Sequence, residues 1–123
     1  MTYSSPRFSL EQALASAQRT FMTEIAALSD LADRLGDDFY AATQSILQCK
    51  GRIVVTGIGK SGHIGRKIAA TFSSTGTPAF FMHAAEALHG DLGMVTKDDV
   101  LIAISYSGAA SELLTIFSAT KRL

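Results

Sequence analysis

The chain has 123 residues, of which 47% are hydrophobic and 18% charged, and its formal net charge is zero. That length limits it to one domain at most, with an ordinary globular composition. A balanced charge gives no electrostatic ground for a nucleic-acid or membrane partner. Cys49 is the single cysteine, so no internal disulfide forms, and it reads as packing on a helix. No stretch approaches the ~18 apolar residues needed to cross a bilayer. The polar start with Pro6 lacks a signal-peptide pattern, and a cytoplasmic protein is expected.

Residues 1–8 read as a frayed tail. Ser9 and Gln12 form a capping box. Leu10, Leu14, Ala17, Phe21, Ile25, Leu28 and Leu35 then recur at helical spacings, which predicts a long amphipathic helix ended by Gly36. Asp37 or Asp38 starts a second helix with Phe39, Ala42 and Ile46, closing near Gly51. The apolar stripes of both helices are core or a subunit interface. Ile53-Val54-Val55 reads as a buried strand, and Ile64, Ile68 and Phe72 give the next helix one apolar face. Gly76 and Pro78 end that helix before a second strand over Ala79–Met82. A polar segment runs from His83 to Gly93, and Lys97-Asp98-Asp99 reads as a turn. Val100–Ile104 is a third strand, followed by a helix carrying Leu113, Leu114 and Phe117. Strands that alternate with helices and are apolar throughout predict an α/β fold, a parallel sheet covered on both faces. Three strands fall short of the roughly five or six usual in such sheets, so an N-terminal portion of a longer protein is expected.

Three segments carry chemistry. Gly57-Ile58-Gly59-Lys60-Ser61-Gly62 joins a strand to a helix start, where free N–H groups and the dipole suit an anion. It fits G-x-G-x-x-G, but the following strand ends at Met82-His83 without the acidic residue of a dinucleotide site. A Walker A loop fails too, because its opening glycine would fall on Val54. The plainer alternative is a glycine turn needed only for packing. Ser105-Tyr106-Ser107-Gly108 is a second such turn, able to grip a phosphate or simply to cap a helix. His83, Glu86 and His89 follow at three-residue spacing and suit a divalent metal, hydrogen bonds to substrate hydroxyls, or a structural role. Glu112 opens the last helix, as a dipole-stabilising carboxylate or as an acid–base group. His63 faces solvent or caps its turn and receives no role.

Together with Thr75-Gly76-Thr77-Pro78 and His89-Gly90-Asp91-Leu92-Gly93-Met94, these segments resemble the sugar isomerase (SIS) domain of arabinose 5-phosphate isomerases. The likeness covers nearly the whole chain. Ser105–Gly108 and Glu86–His89 most resemble the branch encoded with glucitol (sorbitol) utilisation genes. The resemblance implies a Rossmann-like, three-layer SIS fold, incomplete at its C-terminus, with residues 1–36 as a helical segment and 37–123 as a partial SIS domain. It implies interconversion of D-ribulose 5-phosphate and D-arabinose 5-phosphate through an enediol, upstream of the lipopolysaccharide sugar Kdo. By the same resemblance Lys60 and Glu112 are catalytic, and Gly76, Thr77, His83, His89, Ser105 and Ser107 bind substrate. No cofactor is required. His83 also matches a zinc position, with zinc as an inhibitor. Homo-oligomers, tetramers when full length, are implied.

Two departures stand out. Ala109-Ala110 replaces the acid and hydroxyl common in relatives, with Ser111 as a partial substitute. The family's further catalytic glutamate and histidine, and its two CBS modules, would fall beyond residue 123, so this chain is expected to be weakly folded or inactive alone. The rival readings are a non-catalytic SIS-type sugar-phosphate-binding regulatory module, an isomerase of hexulose or heptulose phosphates, and a pseudo-enzyme that only oligomerises. The N-terminal helices lack the basic face and helix-turn-helix pattern of a DNA-binding regulator.

Overall fold

The structure, a computed structural model, describes residues 8–122. Of the tail expected over residues 1–8, all but Phe8 lies outside the described residues. The chain divides into two compact units between Tyr40 and Ala41.

In the first unit, α1 spans Leu10–Asp33. Its capping box is present: Ser9 Oγ accepts the Gln12 N–H at 3.1 Å, and Gln12 Oε1 accepts the Ser9 N–H at 2.9 Å. The helix ends before Gly36, with Arg34 as its C-cap. Gly36 is not among the glycines with positive φ. Its carbonyl instead accepts the Tyr40 N–H at 3.1 Å and so opens α2, Asp37–Leu47. Asp37 and Asp38 complement the positive end of that helix. No residue of α1 is buried, and Leu14, Phe21, Ile25 and Leu28 form an exposed stripe.

The second unit holds a parallel sheet of β1 (Ile53–Gly57), β2 (Ala79–His83) and β3 (Val100–Ile104), in the order β2-β1-β3. Gly57 lies opposite His83 on one side and Ile104 on the other, so the strands end level. Central β1 is buried along its whole length, which is why its apolar run is continuous. Successive side chains point to opposite faces. Val54, Phe80, Met82, Leu101 and Ala103 meet Leu113 and Ile116 of α5 (Ser111–Thr120) and the two buried alanines of α4 (Ala84–Ala87). Ile53, Val55, Phe81 and Ile102 meet Ile68, Ala69 and Phe72 of α3 (Gly59–Ser74). The expected three-layer α/β architecture is present.

Local corrections follow from packing. Ile64 is 55% exposed, and α3 turns Gly62, Gly65 and Ala69 inward instead. A Cβ at Gly65 would stand 3.0 Å from Phe81 Cε2 and 3.3 Å from Val55 Cγ1, so the helix lies too close to the sheet for a larger residue. On α5 the inward pair is Leu113 and Ile116, while Leu114 is 53% exposed and Phe117 also faces out. The polar segment after β2 is not wholly irregular: it contains α4 and a 3₁₀ turn, Asp91–Met94. Cys49 lies just past α2 and packs, half-buried, against the α3-side core.

A polar clip closes the amino edge of the sheet. Asp99 accepts the N–H of Arg52 at 2.6 Å and that of Thr96 at 2.8 Å. The Arg52 guanidinium lies 3.6 Å from Asp99 Oδ2 and donates to the Met94 carbonyl at 2.6 Å. Burial pushes the Asp99 carboxyl up. The N–H groups of Thr96 and Arg52, with the Thr96 side chain and the Arg52 charge, outweigh it and hold the group below its ordinary value. The clip fixes where β1 and β3 begin, and thereby where their carboxyl ends present the turns.

Candidate functional site

The carboxyl edge gathers the turns that follow all three strands. After β1, Ile58 caps α3 with no side-chain bond, and Gly59 takes φ +58. The first intrahelical bond is from Gly62 N–H to the Ile58 carbonyl at 3.3 Å, so the N–H groups of Gly59, Lys60 and Ser61 precede the helical ladder. After β3, Ser105 Oγ accepts the Gly108 N–H at 2.9 Å and Ser107 Oγ accepts the Ala109 N–H at 3.2 Å. Gly108 has φ +68, a conformation that favours glycine. Both hydroxyls shape the turn and keep their protons for donation to a ligand. Ala110 caps α5 without a side-chain bond, so that helix start is open as well.

β1 and β3 are neighbours, yet α3 covers one face of the sheet and α5 the other. Between such strands the two turns splay apart and leave a crevice, the place where open α/β sheets bind ligands. Lys60 sits in the first turn of α3 and Glu112 in the first turn of α5, each just after the carboxyl end of one of these neighbouring strands. Glu112 Oε2 accepts from the Ser111 hydroxyl at 3.1 Å. That bond engages the hydroxyl expected to replace the missing one. Among the described residues the single salt bridge is Arg52–Asp99, so Lys60 and Glu112 are not bound to each other.

His83 ends β2 at the same edge. Its Nδ1 accepts the Ala85 N–H at 3.2 Å, which leaves Nε2 as the hydrogen-bearing nitrogen of the neutral ring. His89 stands exposed in the turn after α4. Among the described residues no three His, Cys, Asp or Glu side chains gather as a metal site, so His83, Glu86 and His89 do not form one. The donors therefore do not fit a zinc ion held by this chain alone.

Gly76 and Thr77 fall at the opposite edge, before β2 begins. Gly76 takes φ +98 and donates to Ser73, and Thr77 donates its N–H to Phe72 at 2.9 Å. Within this chain they close α3 and aim the chain into β2, a strand length away from Lys60, His83 and Ser105. The carboxyl edge adds two residues the sequence leaves without a role. A hollow of about 200 Å³ is lined by Gly59, Gly62, His63, Arg66, Phe81 and His83. Their sequence signal was only spacing, since His63 and Arg66 follow Gly59 by one helical turn and two. Roomier depressions of about 330 and 380 Å³ lie at Arg34–Phe39 and along Lys67–Thr75, away from the strand ends.

A parallel sheet with helices on both faces and open helix starts at its switch point defines an α/β domain of the kind that binds ligands at the carboxyl ends of its strands. The SIS domain profile matches residues 46–122, and the chain belongs to the SIS domain family. It is 61% identical over 103 residues to the arabinose 5-phosphate isomerase GutQ of Escherichia coli K12, covering 84% of this chain and 32% of that protein. It is 57% identical over 108 residues to the arabinose 5-phosphate isomerase KdsD of Pseudomonas aeruginosa, covering 88% of this chain and 33% of that one. A solved structure of an E. coli CFT073 protein in complex with arabinose 5-phosphate aligns with a TM-score of 0.87 at 42% identity, covering 94% of this chain and 61% of the other. The chain spans about a third of the length of these curated relatives.

Proposed function

We propose that this SIS domain serves an aldose–ketose isomerase that interconverts D-ribulose 5-phosphate and D-arabinose 5-phosphate. The reading is supported by the two uncapped helix starts after the neighbouring strands β1 and β3, with Lys60 in the first turn of one helix and Glu112 in the first turn of the other. The curated relatives named as arabinose 5-phosphate isomerases support it. The phosphate binds the Ser105–Gly108 turn and the open N–H groups of α5. That anchor sets the reacting carbons beside the acid–base groups. Glu112 carries a proton between C1 and C2, and the Lys60 ammonium stabilises the enediolate oxygen. His83, through Nε2–H, and His89 bind substrate hydroxyls. Isomerisation through an enediol exchanges protons within one molecule, so the proposal needs no cofactor. No step runs through zinc.

The same reading places the protein in the cytoplasm, supplying a precursor of Kdo. It treats residues 1–36 as a separate helical segment, whose exposed stripe supports assembly into homo-oligomers, tetramers in the full-length form. The test is an isomerase assay with D-ribulose 5-phosphate on the protein expressed through its whole reading frame. Turnover is expected, and Lys60→Ala lowers kcat by about 10²-fold or more with an unchanged melting temperature. Binding of the sugar phosphate without turnover would replace this reading with the regulatory module.

A further inference from the structure

Phe81 lies pressed against α3. A Cβ at Gly62 would stand 3.5 Å from its Cζ, and one at Gly65 3.0 Å from its Cε2. The Arg66 guanidinium lies over the same ring, 4.5 Å from its centroid. On the next residue of the same strand face, the His83 ring meets Phe81 edge-on, with centroids 6.4 Å apart and planes at 79°. Arg66 has no carboxylate partner among the described residues, so the ring is its contact. Its planar guanidinium suits such stacking in a way that a lysine ammonium does not. The hydrogen bond that His83 accepts, from the Ala85 N–H at 3.2 Å, holds Nδ1 and leaves the ring face to be set by its neighbours.

We propose that Arg66 is a positioning residue: its guanidinium holds the Phe81 ring, and the held ring fixes the His83 imidazole at the mouth of the site. This role rests on the reading of His83 as a substrate-binding histidine. The side chains of Arg66, Phe81 and His83 thus form a relay from the second turn of α3 to the end of β2.

The test is a double-mutant cycle in the full-length protein, with D-arabinose 5-phosphate as substrate. Arg66→Ala and Arg66→Lys are each expected to lower kcat/KM about tenfold, while Arg66→Ala in the His83→Ala background changes it less than about twofold. Equal losses in both backgrounds would mean that Arg66 touches the substrate itself, and would overturn the proposal. Full activity in Arg66→Lys would do the same, because charge without the stacking plane would then suffice. A second readout needs no substrate: the imidazole nitrogen resonances of His83 and the amide of Ala85. These are expected to shift in Arg66→Ala and Arg66→Lys, and unchanged spectra overturn the relay. If the unsubstituted protein does not isomerise the sugar phosphate, the functional reading fails, and this spectral comparison alone decides the role of Arg66.

Discussion

Replacing Asp99 with asparagine tests the clip that fixes where β1 and β3 begin. The Asp99 side chain is 1% exposed, and its oxygens accept N–H groups from Arg52 and Thr96. Asparagine can accept one of these, but its NH₂ then faces the other donor. A buried donor left without an acceptor costs ~1–3 kcal/mol. The Arg52 side chain is 45% exposed, so the lost ion pair adds only about 0–1 kcal/mol. The sum is about 1–4 kcal/mol, from a native stability of roughly 5–15 kcal/mol. At roughly 4–8 °C per kcal/mol, the melting temperature falls by about 4–30 °C at neutral pH. The pH dependence has a definite sign. The carboxyl titrates below its unfolded value of about 3.9, so its contribution is full above that pH and is lost as pH falls through the folded value. Thermal unfolding of both chains, followed by circular dichroism from pH 7 to about pH 3, reads the gap directly. It is expected to be full at neutral pH and to narrow below about pH 4. Equal melting temperatures at pH 7, or a gap that widens on acidification, would refute the account of the clip.

Other substitutions probe the packing. Ile116→Ala is expected to cost ~2–4 kcal/mol in urea unfolding and Leu114→Ala under ~1 kcal/mol, because the first is 1% exposed and the second 53%. Comparable losses would mean that α5 is rotated. Gly65→Val is expected to destabilise by about 2 kcal/mol, since even a Cβ there meets Phe81 at 3.0 Å; an unchanged unfolding midpoint would contradict the close approach of α3. Thr56 is fully buried, and its Oγ1 has no hydrogen-bond partner. Thr56→Val is therefore expected to leave stability unchanged or raise it by up to ~1 kcal/mol, whereas a clear loss would reveal a bond to that hydroxyl.

The sheet was legible because Ile53-Val54-Val55 and Val100–Ile104 are continuous apolar runs of strand length, and the glycines after β1 mark where the chain turns. The faces of the helices were less legible. Ile64 shares a helical period with Ile68 and Phe72, but close approach to Phe81 selects Gly62 and Gly65 for the inner face. Small residues carry no hydrophobic signal, so periodicity overlooks them. Leu113 and Leu114 are adjacent and equally apolar, and only the sheet decides between them. Four-residue elements such as α4 are too short to show a period. Gly76 and Thr77 read as site residues by motif, and their place at the start of β2, at the edge opposite Lys60, was not legible because strand direction is a property of the fold. Arg66 was invisible for a related reason: its partner, Phe81, lies fifteen residues on and on another element.

The most direct test of the central claim is an amide NMR titration with D-arabinose 5-phosphate. The account predicts that the largest shifts fall at the carboxyl edge, on Gly59, Lys60, Ser61, Ser107, Gly108 and Ser111, with little change at Gly51, Arg52 and Asp99 on the amino edge. Shifts concentrated at the amino edge or along Lys67–Thr75, or none at millimolar ligand, would contradict a sugar-phosphate site between β1 and β3.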